Sequence, residues 1–146
     1  MNHSIGRACA ALIVSLSLAQ AVPAQAIGQK SIVSFDRAQA GSVALVAGKR
    51  AAALYLDPHD HAGVLRAAAD LQGDIEKVGG TRPALHKSTN ASGADVVLIG
   101  TVGKSALIDQ LVASGKLDVS GIRGKWEGYV VQTVVRPMPG VERARA

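Results

Sequence analysis

The stretch Ala94-Asp95-Val96-Val97-Leu98-Ile99-Gly100 decides the fold. A near-continuous run of β-branched and other apolar residues is typical of a strand that is covered on both faces, so we place this strand in the centre of a sheet. Downstream, residues 104–114 carry an apolar face that predicts a helix, with Gly115 as its stop. The residues that this helix should bury are Leu107, Ile108, Leu111 and Val112.

Upstream of this strand, apolar residues recur at spacings of four, three, four and three, which marks one face of a helix. These residues are Val64, Ala68, Leu71, Ile75 and Val78. Gly79-Gly80 should end the helix. Asp57-Pro58, or alternatively Asp60 one turn later, should begin it, because a carboxylate can cap free amides. A short strand over residues 84–86 follows.

Further short apolar runs complete the predicted sheet. Residues 43–46 and 51–56 flank a turn of hairpin length and predict two antiparallel strands. Residues 129–135 form another β-rich run, which Pro137-Met138-Pro139-Gly140 halts. The order β-β-α-β-β-α-β predicts a mixed β-sheet with helices packed on it, in the α/β (α+β) class. Residues 141–146 leave the last strand without a partner or cover, so we expect a chain cut short, its last strand-helix unit missing.

The 146 residues suffice for one domain of ordinary size, preceded by a targeting segment. Arg7, the apolar residues 8–18 and Ala24-Gln25-Ala26 follow the order of a secretory signal, and the apolar run is shorter than the roughly 20 residues of a membrane span. We therefore assign residues 1–26 to a signal peptide, 27–41 to a leader and 42–146 to the domain, and expect a periplasmic or secreted product. The lone Cys9 leaves with the signal, so the mature chain should contain no disulfide.

Composition narrows the classes of ligand. Aromatic residues make up 3% of the chain, which argues against a platform of several rings for sugars or for nucleic-acid bases. These residues are Phe35, Tyr55, Trp126 and Tyr129. Loss of Arg7 lowers the formal net charge from +5 to +4, a mild excess that is spread along the chain. We expect neither a nucleic-acid partner nor a membrane partner after signal cleavage.

Two loops invite a ligand-binding interpretation. Residues 100–105 resemble a phosphate-binding loop, but the first glycine of that motif would fall at Leu98, inside the buried strand, so a tight strand-to-helix turn is favoured. Weak anion binding at the helix start remains a minor alternative. The cluster Asp57, His59, Asp60 and His61 has the side chains of a zinc-type site, but four ligands within five residues rarely converge on one ion. Helix capping and a solvated loop are the favoured interpretation there.

No hydrolytic site can be assigned from the residues themselves. A glycosidase needs two carboxylates flanking the scissile bond, about 5 Å apart in retaining enzymes and wider apart in inverting ones. Asp70, Asp74 and Glu76 fall on the polar side of the first helix and Asp109 on the second, where charge is normally solvated. No G-x-S-x-G elbow is present to expose a serine, and His86 alone is uninformative. We assign no catalytic, cofactor-binding or metal-binding residue, and no cofactor.

Several strings in this order and spacing resemble the N-terminal domain of glycoside hydrolase family 115, the xylan α-1,2-glucuronidases, over residues 42–143. The strings are Asp57-Pro58-His59-Asp60-His61-Ala62-Gly63-Val64, Ala68-Ala69-Asp70-Leu71, Asp74-Ile75-Glu76-Lys77-Val78, Ile99-Gly100-Thr101-Val102-Gly103-Lys104-Ser105, Leu107-Ile108-Asp109-Gln110-Leu111, Gly115-Lys116-Leu117-Asp118-Val119-Ser120, Gly124-Lys125-Trp126-Glu127 and Pro139-Gly140-Val141-Glu142.

The resemblance implies an exported, inverting enzyme that removes glucuronic acid or its 4-O-methyl ether from glucuronoxylan. In that family the catalytic acids lie in a TIM-like barrel that follows the N-terminal domain, and the full-length enzyme can form a homodimer. A barrel needs roughly 200 or more residues, so we expect this chain to be a non-catalytic fragment that reaches glucuronoxylan through the missing catalytic domain. The alternative is a small exported module that binds polysaccharide without catalysis. Its candidate contacts are Lys49, Arg50, Lys104, Lys125 and Arg136.

Overall fold

The computed structural model describes Ser34 and residues 41–146. The predicted signal peptide, and the leader apart from Ser34 and Gly41, lie outside the described residues. The described part contains strands and helices in the following order: β1 (Val46–Ala47), β2 (Arg50–Ala51), β3 (Ala53–Leu56), α1 (Ala62–Gly79), β4 (Leu85–Lys87), β5 (Gly93–Ile99), α2 (Ala106–Ala113), β6 (Thr133–Val135) and β7 (Val141–Arg145).

The main sheet has five strands in the order β4-β3-β5-β7-β6. Strand β3 runs parallel to β4 and β5, and β5 runs parallel to β7, whereas β6 is antiparallel to β7. This arrangement confirms the predicted mixed α/β sheet and the central place of β5. Within residues 41–146, neither helix combines the length and the apolarity that a bilayer crossing requires.

The predicted hairpin of residues 43–46 and 51–56 has the correct turn, but its paired strands are shorter than predicted. Strands β1 and β2 pair across the turn, with Val46 opposite Ala51, as a separate two-stranded sheet. The chain then continues into β3, which joins the main sheet between β4 and β5. Leu54 and Leu56 are fully buried there. A strand with neighbours on both sides buries these leucines more completely than a hairpin would, so sheet burial determines where the hairpin ends.

The expectation that residues 141–146 leave the last strand unpartnered is wrong. Residues 141–145 form β7, which lies between β5 and β6 and pairs with both. The sequence does not identify this segment as a strand, because charged residues alternate with apolar ones in it. Arg143 is matched by Asp95 on β5 through two hydrogen bonds of 2.6 and 2.9 Å, which raise the pKa of the Arg143 guanidinium. A charged residue can therefore lie inside the sheet because its partner stands directly opposite.

The two helices pack on opposite faces of the sheet. The larger cluster joins Leu107, Ile108 and Leu111 of α2 to Val96 and Leu98 of β5, which confirms the predicted buried face of α2 apart from the half-buried Val112. The smaller cluster, on the other face, joins α1 to β3 and β5. Its members are Ala52, Leu54, Ile75 and Val97.

The predicted buried face of α1 is only partly correct. Ala68 and Ile75 are buried, but Leu71 is 38% and Val78 71% exposed. An 18-residue helix is about 27 Å long, whereas a four-residue strand such as β3 spans about 13 Å, so the helix extends beyond the sheet that it covers. Gly80 ends the helix in a left-handed conformation, φ 70°, and its amide donates to the Glu76 carbonyl at 2.8 Å. The predicted stop signal is therefore confirmed.

Candidate functional site

The chain order of the strands places a reversal between β3 and β5. From β3 the chain crosses through α1 to β4 on one side, and β5 then lies on the other side of β3. In open α/β sheets such a reversal leaves a crevice at the carboxyl ends of the strands, where ligands commonly bind. Here the crevice is formed by residues 57–61, which follow β3, and residues 100–105, which follow β5. Both loops were singled out from the sequence.

Asp60 joins the two loops of the crevice. Its side chain is buried, with Oδ2 accepting a hydrogen bond of 2.7 Å from the Thr101 amide and Oδ1 accepting one of 2.7 Å from the His61 amide. Helix α1 begins at Ala62 with no side-chain cap. The prediction that Asp60 caps α1 is therefore wrong, because its second oxygen serves a loop 41 residues further along the chain.

Asp57 performs the capping at the other helix. Its Oδ2 accepts a hydrogen bond of 3.0 Å from the amide of Ala106, the first residue of α2, and its Oδ1 accepts one of 2.9 Å from the His59 amide. The Ala106 amide is the main cause that lowers the pKa of the Asp57 carboxyl, and the His59 amide is the next. A negative charge is favourable at a helix N-terminus. The predicted role of Asp57 is corrected from the start of α1 to the start of α2.

Gly100 and Ser105 meet at the base of the second loop. A Cβ on Gly100 would lie 2.4 Å from Ser105 Cβ and 2.5 Å from its Oγ, so the loop closes on itself as a tight strand-to-helix turn. Ser105 is fully buried, and its Oγ forms no hydrogen bond within the described residues. The Gly103 amide donates to Asp109 Oδ1 at 2.7 Å. The turn needs glycine at position 100 because the side chains of Ser105 and Ile108 already occupy the space that a Cβ would take.

Three amides around this loop therefore donate to carboxylates of the chain itself. The Thr101 amide is bound by Asp60, the Gly103 amide by Asp109 and the Ala106 amide by Asp57. A phosphate at a helix N-terminus would need such donors to be free. The prediction that Asp109 is simply solvated is wrong, since its carboxylate accepts a hydrogen bond from the Gly103 amide of the loop.

The histidines of the cluster that was considered, and not favoured, as a zinc-type site face solvent. His59 Nδ1 lies 3.2 Å from Asp57 Oδ1, and the His59 side chain is 87% exposed, while His61 is also exposed. Among residues 41–146, no group of three or more potential metal ligands comes together. Asp57 and Asp60 point instead at backbone amides.

The other carboxylates considered for hydrolysis are exposed along α1, as predicted. Asp74 lies 3.3 Å from Lys77, and Glu76 forms an ion pair with Arg82. Asp70 is exposed as well. His86 stacks on Tyr55, with ring centroids 4.7 Å apart, which gives it a packing role. None of these groups converges with another on a concavity.

The five basic residues proposed as polysaccharide contacts are all exposed, but they come from four separate segments. Lys49 and Arg50 lie in the β1–β2 hairpin and Lys104 in the crevice. Lys125 belongs to the connection between α2 and β6, and Arg136 follows β6.

Sequence reasoning missed the loop of residues 122–129, hereafter the Trp126 loop. Trp126 is 91% and Tyr129 66% exposed, although the scarcity of aromatic residues argued against an aromatic surface. The ends of the loop lie close together, because a Cβ on Gly128 would lie 3.1 Å from Ile122 Cβ. The signal was available locally, since two of the four aromatic residues stand three positions apart beside two cations.

Two shallow depressions lie near these segments. One, of about 200 Å³, abuts the Trp126 loop and is lined by Val102, Val119, Ile122, Arg123 and Gly124. The other, of about 260 Å³, is lined by Thr89, Asn90, Ala91, Gln110, Met138 and Pro139. No protein-family model matches the sequence, and no curated protein matches it.

Proposed function

We propose that this chain is the non-catalytic N-terminal α/β domain of an exported family 115 α-glucuronidase, whose catalytic acids lie in a separate barrel domain. The ordered strings that resemble that family support the assignment, and so does the α/β sheet. The proposed partner is glucuronoxylan, reached through the catalytic domain, and the full-length enzyme is proposed to be a homodimer. Neither nucleic acid nor a membrane is a proposed partner of the mature chain.

The state of the crevice carboxylates carries the non-catalytic part of this proposal. A general acid must keep its proton near neutral pH, and enzymes achieve this by raising the pKa of a carboxyl. Asp57 departs in the opposite direction, because the Ala106 and His59 amides lower the pKa of its carboxyl. Asp60 and Asp109 bind backbone amides as well. These contacts support a structural role for the crevice carboxylates, and an Asp57 that stays ionised is unsuited to act as a general acid.

The test uses the full chain with glucuronoxylan, and with a separately produced catalytic barrel of a family 115 enzyme. We expect no free glucuronic acid from the chain alone, and a stoichiometric complex with the barrel that raises the Tm of the barrel. Release of glucuronic acid by the chain alone would contradict the non-catalytic assignment, and failure to bind the barrel would contradict the family assignment. Sequencing of the exported product should give Ile27 as its first residue.

A second candidate function is a small exported polysaccharide-binding module. The exposed Trp126 and Tyr129 favour it, because an aromatic ring offers a flat apolar surface to the face of a sugar ring. Saturable and salt-sensitive binding of glucuronoxylan, together with the absence of a complex with the barrel, would distinguish this module from the hydrolase domain.

A further inference from the structure

The Trp126 loop is unusual among the described segments in its exposure of apolar surface. The side chains of Trp126 and Tyr129 are 91% and 66% exposed, and Val131 just beyond the loop is 41% exposed. The third aromatic residue of the described chain, Tyr55, is by contrast 6% exposed and donates a hydrogen bond to the Ser92 carbonyl. A large exposed aromatic surface in a soluble domain commonly marks a binding site.

The backbone of the loop holds Trp126 outward. The Lys125 amide donates to the Ile122 carbonyl at 3.0 Å, and Gly128 packs on Ile122, so both ends of the loop meet at one residue. Glu127, next to Trp126, has a left-handed backbone with φ 55°, a conformation that costs free energy in a residue with a side chain. Strained residues of this kind are concentrated at functional sites.

The depression beside the loop has an apolar lining and a cation. Val102, Val119 and Ile122 supply the apolar side chains, and Arg123 supplies the cation. Its volume of about 200 Å³ is below the range of roughly 300–1,000 Å³ for pockets that enclose a drug-sized ligand. Such a surface suits a polymer that lays one ring against it better than a small molecule that must be enclosed.

Hydrogen bonds to the crevice carboxylates fix the backbone of Val102, which lines the depression. The amide before Val102, that of Thr101, is bound by Asp60, and the amide after it, that of Gly103, is bound by Asp109. These hydrogen bonds hold the backbone on both sides while the Val102 side chain remains 40% exposed. The crevice carboxylates thus preorganise the depression, which lowers the ordering cost of binding there.

The charges next to the rings select the ligand. Arg123 and Lys125 are exposed and, within residues 41–146, neither forms an ion pair. A flat apolar surface beside two available cations complements a ring that has an apolar face and a carboxylate. We infer that the Trp126 loop and its depression bind a uronic-acid side chain of a polysaccharide, with Trp126 stacked on the sugar ring and Arg123 and Lys125 facing its carboxylate. The choice of glucuronoxylan as the polymer rests on the proposed function.

The experiment titrates the full chain with glucuronoxylan and with the same polymer after reduction of its carboxyl groups. Trp126 is the single tryptophan of the sequence, so its fluorescence reports directly on the loop. We expect a saturable blue shift with glucuronoxylan that weakens as salt is added, and at least about tenfold weaker binding of the reduced polymer. Equal binding of both polymers, or no shift at all, would overturn the inference.

Variants are compared by affinity electrophoresis, which needs no tryptophan. Trp126→Ala should weaken binding about tenfold, whereas Val135→Ala, which trims another exposed apolar side chain, should leave it unchanged. The double variant Arg123→Ala/Lys125→Ala should weaken binding more than its matched control Arg66→Ala/Lys87→Ala, which removes one exposed arginine and one exposed lysine from α1 and β4. Equal effects of the two double variants would overturn the site in favour of unspecific charge attraction.

Two further outcomes separate this inference from others. Glu127→Gln removes the carboxylate between the rings and should strengthen binding severalfold. If sedimentation shows instead that the chain dimerises without glycan, and that Trp126→Ala abolishes the dimer, the loop binds a second copy and the inference is wrong. The barrel experiment is independent of these results, because a chain that fails to bind the barrel can still bind the polymer through this loop.

Discussion

The crevice and the Trp126 loop use their polar side chains in opposite ways. In the crevice, Asp57 and Asp60 are 3% and 6% exposed, and their oxygens accept hydrogen bonds from backbone amides. In the loop, Arg123 and Lys125 stand in solvent beside an exposed ring. The crevice occupies the place where α/β sheets commonly bind ligands, but its acids are committed to structure. Position in a fold therefore predicts a ligand site only when the side chains there are free.

The largest expected loss of stability follows from replacing Gly100 at the base of the crevice. Gly100→Ala would place a Cβ within 2.5 Å of Ser105 atoms and 2.9 Å from Ile108 Cγ1, so the turn must deform. We expect a loss of about 3 kcal/mol of unfolding free energy, or more than about 10 °C in Tm. Gly121→Ala, just before the Trp126 loop, meets no atom within 4 Å and is the control. Comparable thermal melts for the two variants would refute the close-packed turn.

Removal of the Asp57 carboxylate should have the next largest effect. Asp57→Ala leaves the Ala106 and His59 amides without their acceptor, and Asp57→Asn keeps an acceptor but no charge. The folded pKa of Asp57 lies below the ordinary 3.8, so its charge stabilises the fold above that pH, and this stabilisation is lost as the pH falls through the folded value. Denaturant titrations should show the wild-type advantage over Asp57→Asn at pH 7 and its decline below about pH 4. If the difference in unfolding free energy between the wild type and Asp57→Asn does not change with pH, the charge does not have this role.

A smaller effect should follow from Asp109→Ala. It removes the acceptor of the Gly103 amide at the solvent side of the loop and should cost about 1 kcal/mol. Asp70→Ala, an exposed acid on α1, is the matched control and should change little. Because Asp109 also fixes the backbone next to Val102, the variant should weaken glucuronoxylan binding severalfold. Unchanged polymer binding would mean that the crevice does not support the depression.

The smallest effect on stability is expected in the loop itself. Trp126→Ala should change the free energy of unfolding by less than about 0.5 kcal/mol, because a side chain that is 91% exposed contributes little packing. Far-UV circular dichroism during thermal unfolding is the measurement, since the variant has no tryptophan. A fall in Tm of several degrees would show that the Trp126 ring packs on the domain. The loop would then contribute to stability as the crevice does.

Local patterns in the sequence predicted the elements whose causes are local. The apolar run of β5, the buried face of α2 and the Gly80 stop each depend on residues within a few positions. Asp57 and Asp60 are both predicted to cap α1, but Asp57 caps α2 and Asp60 binds the loop that precedes α2. Their true partners lie 49 and 41 residues away, and only the parallel pairing of β3 with β5 brings them together. A capping preference read from one segment cannot reveal such a partner.

Two other errors have different physical causes. Strand β7 was missed because its charged residues are typical of a solvated tail, and Arg143 is accommodated only when Asp95 is directly opposite. The Trp126 loop was missed because composition counts aromatic residues without saying where they lie. Tyr55 is buried and Trp126 is exposed, although both contribute equally to that count. Tertiary packing determines which aromatic residues are buried, and the aromatic content of a sequence carries no information about packing.

The place of β7 also has a consequence for biosynthesis. A ribosome releases the chain from its amino end, so β6 emerges before β7, although in the finished sheet β6 is attached through β7. Until residues 141–145 appear, one edge of β5 and the whole of β6 have no hydrogen-bonding neighbour in that sheet. The five-stranded sheet therefore cannot be completed before residues 141–145 are available to pair. Until then, the unpaired backbone groups at that edge of β5 can form hydrogen bonds with other chains, which is a route to aggregation.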